Sequence, residues 1–236
     1  MGRVFEKRKY KMFARYDKMA KGFTRVGKEI AIAIKLGGGD PAGNSRLRMA
    51  IQNAKGLNMP KDRIDAAIKR ATSKDSSNLE EIVYEGKGPY GVAILIECAT
   101  DNPTRTVANV RSYFNKCGGS LVPSGSLEFM FSRKAVFELE LPEGMEVEEI
   151  ELELIDAGLE EIEATEEGVV ALSDWTAFGT MQTALEKLGI NVKKANLQRF
   201  ANSPVAFSAE DVEAIEKFLE KVEDDEDVQS VYTNME

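Results

Sequence analysis

The sequence predicts an α+β multidomain protein: an N-terminal helical bundle followed by two ferredoxin-like βαββαβ domains, one inserted into the other. Three observations carry this. Residues 1–75 show helical periodicity alone, with apolar residues recurring at three- and four-residue steps. Beyond residue 78 short strands alternate with helices. Residues 134–201 hold a complete βαββαβ order, flanked on both sides by the elements of a second such unit. At 236 residues the chain exceeds the usual size of one core, so several domains are expected. They are residues 1–75, residues 79–133 with 202–236, and residues 134–201.

Charge divides at the first of these boundaries. Residues 1–75 carry 19 Lys and Arg against 7 Asp and Glu; residues 76–236 carry 12 against 33. The net charge of −9 therefore sums two opposite objects. A basic segment on an acidic protein predicts a polyanion partner, because its field attracts nucleic acid and repels acidic surfaces.

Within the basic segment, Phe23, Val26, Ile30 and Ile34 mark one face of a helix between Met19 and Leu36, with Lys21, Arg25, Lys28 and Lys35 on another. Asn44 is an N-cap residue for a second helix, which turns Leu47, Ala50, Ile51 and Ala54 inward, carries Arg48 and Lys55 outward, and ends at Gly56. A third starts near Pro60 and packs Ile64, Ile68 and Ala71. Short helices joined by a tight turn resemble a helix-turn-helix with 60–72 as recognition helix, and equally an ordinary three-helix bundle with a solvated basic face. Ahead of the bundle, Arg3, Lys7, Arg8, Lys9, Lys11, Arg15 and Lys18 interleave with Phe5, Tyr10, Phe13 and Tyr16. That mixture suits phosphate contact with base stacking, or aromatics that pin the arm onto the bundle. The candidate nucleic-acid contacts are thus Lys7, Arg8, Lys9, Lys11, Arg15, Lys18, Lys21, Arg25, Lys28, Arg46, Arg48, Lys55, Lys61, Arg63, Lys69 and Arg70.

In the acidic part, strands are expected at Gly91–Cys98, Leu127–Phe131, Val136–Leu141, Glu160–Thr165, Gly168–Leu172, Val192–Phe200 and Val228–Tyr232, with a short one near Pro204–Phe207. Helices are expected at Thr104–Lys116, Val147–Ala157, Trp175–Leu188 and Ser208–Val222. Phe129 and Phe131 share an alternating face with Leu127 and are expected in the core. Cys98 reads as a small buried hydrophobe, and Glu223–Asp227 as a solvated turn. The loop Thr100–Thr106 joins a strand to a helix, with Asn102 as N-cap and Pro103 in the first helical position. Free N–H groups, the helix dipole and Arg105 converge there, which suits a phosphate; Arg105 paired to Asp101 would make it plain capping. Asp101, Asn102 and Arg105 form a possible second contact loop.

Much chemistry is excluded. The chain has no histidine, which removes His-dependent triads, bases and metal ligands. Cys98 and Cys117 make neither a disulfide framework nor a zinc site. No GxxxxGK[ST] is present, and Gly37–Gly39 and Gly118–Gly119 follow helical patterns as C-caps. No apolar run approaches a membrane span. No catalytic residue, metal or cofactor is expected, and a cytoplasmic location is.

The motifs Gly37-Gly38-Gly39-Asp40-Pro41, Asn44 with Arg46-Leu47-Arg48, Asn58-Met59-Pro60-Lys61-Asp62, Tyr84-Glu85-Gly86-Lys87-Gly88-Pro89-Tyr90-Gly91, Thr100-Asp101-Asn102 with Arg105-Thr106, and Gly118-Gly119 resemble the YebC family. The resemblance runs from about Phe23 to the C-terminus. It implies three domains, one α+β domain inserted in another, and a non-enzymatic cytoplasmic role. Family members are described as DNA-binding transcriptional regulators. Mitochondrial relatives are translational activators, and bacterial members are linked to relief of ribosomes stalled at proline-rich sequence. One departure stands out: the family opens with Gly-His-Ser-Lys-Trp, where this chain has Gly2-Arg3-Val4-Phe5-Glu6, so contacts of that His and Trp are not carried over. The expected function is a regulator of gene expression that binds nucleic acid, DNA or ribosomal RNA, with a ribosome-associated translation factor as the alternative.

Overall fold

The computed structural model describes residues 22–73, 78–142, 144–165 and 168–236. Lys7, Arg8, Lys9, Lys11, Arg15, Lys18 and Lys21 lie outside them. Two compact units are present, one built from residues 26–73 and 132–200, the other from residues 22–25, 78–131 and 201–236.

The first unit takes helix α1 (Gly22–Gly37) from Val26 onward, with α2 (Ser45–Gly56) and α3 (Lys61–Thr72). Their facing stripes, Val26, Ile30 and Ala33 with Leu47, Ala50 and Ala54 and with Ile64, form one apolar core. Strands β4 (Phe131–Glu140), β5 (Leu159–Thr165), β6 (Gly168–Asp174) and β7 (Asn191–Ala201), with helices α5 (Val147–Ile155) and α6 (Phe178–Lys187), follow the expected βαββαβ order. They make a sheet of order β5-β6-β4-β7. One sheet face, with Ala135, Phe137, Leu139 and Ala171, packs on Ile150, Leu154, Phe178, Met181 and Leu185 of the helices. The Phe137 and Phe178 rings stack at 5.1 Å. Met49 of α2 joins this core, so the helical bundle and the inserted sheet share apolar packing.

In the second unit, β1 (Glu80–Lys87), β2 (Ala93–Thr100), β3 (Ser120–Val122) and β8 (Val228–Thr233) form a sheet of order β3-β1-β2-β8. Helices α4 (Pro103–Lys116) and α7 (Ala209–Glu223) lie on one face over Ile94, Ile96 and Cys98, and the Phe114 and Phe218 rings meet edge-on at 5.1 Å. The other face of β2, with Ala93 and Leu95, is covered by Leu127, Phe131 and Tyr232.

The fold class is the expected one, a helical N-terminal part and two four-stranded antiparallel sheets. The strand assignment in the second unit differs. Leu127–Phe131 is not a strand: Glu128–Met130 form a 3-10 turn, and Phe131 opens the long β4. Leu127 and Phe131 are buried as expected, but the Phe129 side chain is 75% exposed, because the turn breaks the alternation that would have carried it inward. Pro204–Phe207 contributes only an isolated bridge between Val205 and Met235. The fourth strand is instead β1, which pairs with β2 from Glu80 opposite Thr100 to Lys87 opposite Ala93. This unit therefore runs ββαβ, the inserted residues, then αβ.

Candidate nucleic-acid interface

The basic helices are held by a polar staple. Asn44 caps α2, its Oδ1 accepting the Leu47 amide at 3.0 Å, while its Nδ2 donates to the carbonyls of Ala33 and Gly38, each at 2.8 Å. A β-carbon on Gly37 would stand 2.7 Å from Asn44 Nδ2, so glycine is required for this approach. Gly38, at φ +83°, turns the chain out of α1 as the C-cap reading requires. Arg48 closes the loop by donating from Nη1 to the carbonyls of Pro41 and Ala42 at 2.8 and 3.0 Å, and its Nε lies 3.7 Å from Glu186 Oε1.

These bonds sort the candidate contacts. Arg48 is committed to the loop. Arg25 is buried, contrary to its expected place on a solvent face, because the three- and four-residue apolar period does not register packing on the helix's second side. Lys28 and Arg46 are half-buried. Lys55, Lys61, Arg63, Lys69 and Arg70 are exposed and form no ion pair among the described residues. Arg63 and Arg70 stand seven positions apart, two turns along one flank of α3. Asp62 and Asp65 are also exposed on α3, so its outer surface is basic with two acidic interruptions.

The loop after β2 is organised around one carboxylate. Asn102 Oδ1 accepts the Arg105 amide at 3.0 Å, which caps α4 as expected. Arg105 Nη2 donates to Asp101 at 3.1 Å and to Asp227 Oδ2 at 2.8 Å. Thr100 and Thr106 donate their hydroxyls to the same Oδ2 at 3.1 and 2.8 Å. The Asp227 hydrogen bond and charge, with those of Asp101 added, push the Arg105 pKa further above its ordinary value. Asp101, Asn102 and Arg105 are thus brought together, and Arg105 remains half exposed. Asp227 itself is buried, so Glu223–Asp227 is not simply a solvated turn. Its partners lie more than 100 positions away, beyond any local signal.

A second buried carboxylate leaves no signal in the local sequence. Glu85, in an otherwise ordinary strand, is buried, and its two oxygens accept the Gly125 and Leu127 amides, both at 2.5 Å. Among the described residues no group of His, Cys, Asp and Glu is arranged to hold a metal ion, and no helix is long and apolar enough to cross a membrane.

Comparison with known proteins accords with this architecture. Residues 3–74 match the TACO1/YebC protein N-terminal domain, and residues 79–235 match the TACO1/YebC second and third domain. Proteins named "probable transcriptional regulatory protein" in Wolinella succinogenes and Campylobacter curvus are 58% and 54% identical, over the full length of both chains in each case. The crystal structure of a conserved hypothetical protein from Aquifex aeolicus, 35% identical, superposes with a TM-score of 0.78 over 91% of this chain and 88% of that one. The chain belongs to the TACO1/YebC family.

Proposed function

We propose that the chain is a non-enzymatic, cytoplasmic regulator of gene expression that binds nucleic acid, with DNA as its target, through the basic helices α2 and α3. The observation that carries this is the set of exposed cations Lys55, Lys61, Arg63, Lys69 and Arg70, which form no ion pair among the described residues, in a protein whose net charge is −9. A solvated cation gains little without a partner, whereas phosphate contact releases condensed counterions. Relatives named as transcriptional regulators support the same reading. The loop of Asp101, Asn102 and Arg105 serves as a second contact.

One observation favours a second reading, a ribosome-bound translation factor. Asp62 and Asp65 are exposed on the first turns of α3, the part that a recognition helix sets against bases and phosphates in a major groove. Structured RNA contacted along the Arg63 and Arg70 flank avoids that repulsion.

Binding of the full chain to duplex DNA and to ribosomes, measured across a salt series, tests both. Each lost phosphate contact should reduce the slope of log affinity against log salt by about 0.9 on duplex DNA. Arg63→Glu with Arg70→Glu should therefore flatten it by about 2. Ribosome co-sedimentation lost in that variant, with no protected site on promoter DNA, would replace the DNA reading by the ribosomal one. Absence of salt-dependent affinity for either would remove both.

A further inference from the structure

We propose that Phe129 is a stacking platform for an unpaired nucleobase, a contact separate from the basic helices and resting on the nucleic-acid reading above.

The ring is 75% exposed, yet the main chain beneath it is fixed from both sides. Upstream, the Glu85 carboxylate holds the amides of Gly125 and Leu127 at 2.5 Å. Downstream, Asn202 donates from Nδ2 to the Phe129 carbonyl at 3.0 Å and from its amide to the Met130 carbonyl at 2.8 Å. Between these, the 3-10 turn closes with the Met130 amide on the Leu127 carbonyl at 2.9 Å. Leu127 and Phe131 are buried on either side, so the turn is seated in the core and Phe129 alone of the three points outward.

Burying a carboxylate is expensive unless its oxygens are satisfied by hydrogen bonds. Here both are used to shape a loop whose outermost large side chain is an aromatic ring. A ring whose backbone is already ordered loses little entropy on binding, which is the condition for an affinity anchor.

The surroundings select the ligand. Exposed Ser124, Ser126, Glu128, Asn202 and Ser203 flank the loop with hydrogen-bonding groups, so the ring is not the centre of an apolar patch of the kind that docks on protein. One flat apolar face among short donors and acceptors fits a splayed base, stacked on its face and hydrogen-bonded at its edges.

The test uses the full-length protein with a single-stranded RNA 20-mer carrying 5-iodouridine, and the DNA oligonucleotide of the same sequence, over a salt series. Phe129→Ala and Phe129→Leu should weaken binding about tenfold with the salt slope unchanged, and Phe129→Trp should restore it. Thermal midpoints should match the parent, and the photo-crosslink should map to the peptide containing Phe129. A larger effect on RNA than on DNA would identify RNA as the source of the base. Parent-like affinity in Phe129→Ala overturns the stacking role and leaves the basic-helix reading intact, Phe129 then being a protein contact. If the parent protein binds neither strand, the stacking role falls, while binding to duplex DNA and to ribosomes still decides the basic-helix reading.

Discussion

The side chain of Asn53 takes the place of a neighbouring strand for Ala195. Its Oδ1 accepts the Ala195 amide at 3.1 Å, and its Nδ2 donates to Asn196 Oδ1 at 2.9 Å. Its neighbour Gln52 donates from Nε2 to the Val192 carbonyl, earlier in the same strand. Strand β7 is the edge of its sheet, and an open edge is a template for unwanted pairing. Helix α2 covers it closely enough that a β-carbon on Gly56 would stand 2.8 Å from the Lys193 carbonyl. The helical bundle is thereby fastened to the inserted domain by polar side chains as well as by Met49.

Asn53→Ala should therefore cost about 2 kcal/mol, because it leaves a buried amide without its acceptor and Asn196 without its donor. Asn53→Asp keeps the acceptor for Ala195 and should cost less. Urea unfolding of both variants checks the order, and light scattering should reveal association of the alanine protein through the uncovered edge. Equal, near-parental stability in both would mean that packing alone holds α2 in place.

Asp227 is the corresponding long-range device in the other unit. Asp227→Ala should destabilise by about 2 kcal/mol, since the buried Thr100 hydroxyl loses its acceptor, while Thr106 keeps the Asn102 carbonyl within reach at 3.1 Å. Asp227→Asn retains an acceptor without the charge and should lose about half as much. Thermal unfolding distinguishes them: a loss in the asparagine variant as large as in the alanine one would show that the charge carries the effect and the retained acceptor adds nothing, whereas a parent-like asparagine variant would show that the charge contributes little.

These two residues also mark where the sequence stops being legible. Asn44 and Asn102 were readable as N-caps because a cap bonds an amide three positions ahead, and Gly38 because a helix must be left through a positive φ. Strands β4 to β7 were readable from alternation and helical period together. By contrast, Asn53 meets Ala195 and Asp227 meets Thr100 across more than a hundred positions, with no local trace. Strand β1 escapes the alternating pattern because its inward carboxylate, Glu85, and its Gly86 break the apolar alternation. Phe129 misleads for the opposite reason: perfect i, i+2 spacing with Leu127 and Phe131 conceals a turn. Among the basic residues, type and spacing gave the charge of the surface but not which cations were already engaged, as Arg25 and Arg48 are.

Alkaline pH should weaken the α4–α7 packing through Tyr113, whose hydroxyl donates to Asp225 Oδ2 at 2.9 Å. Burial, then that bond and the charges of Asp225, Asp224 and Asp227, push the phenol from 10.0 to about 12. The folded protein thus holds this proton more tightly than the unfolded chain. The contribution is fully present below about pH 10 and is lost as pH rises toward 12. Tyr113→Phe lacks the titration, so the decline in its urea midpoint over that window should be shallower than the parent's. Lysine deprotonation is common to both proteins and cancels in the comparison. Parallel declines would remove Tyr113 as a source of alkaline sensitivity.

Tyr90 carries strain that its environment does not repay. It sits at φ +56° in the turn between β1 and β2, with 63% of the side chain exposed, a conformation that costs a non-glycine residue about 1–2 kcal/mol. Glycine removes that cost but gives back about 0.4–1 kcal/mol through the greater freedom of its unfolded chain. Tyr90→Gly should therefore be more stable than the parent by about 0.5–1 kcal/mol, whereas Tyr90→Ala, which keeps a β-carbon, should gain nothing. The discriminating measurement is the urea midpoint of the two variants side by side. A glycine variant less stable than the parent would mean that the exposed phenol makes contacts outweighing the backbone strain, and the alanine variant would then fall by at least as much.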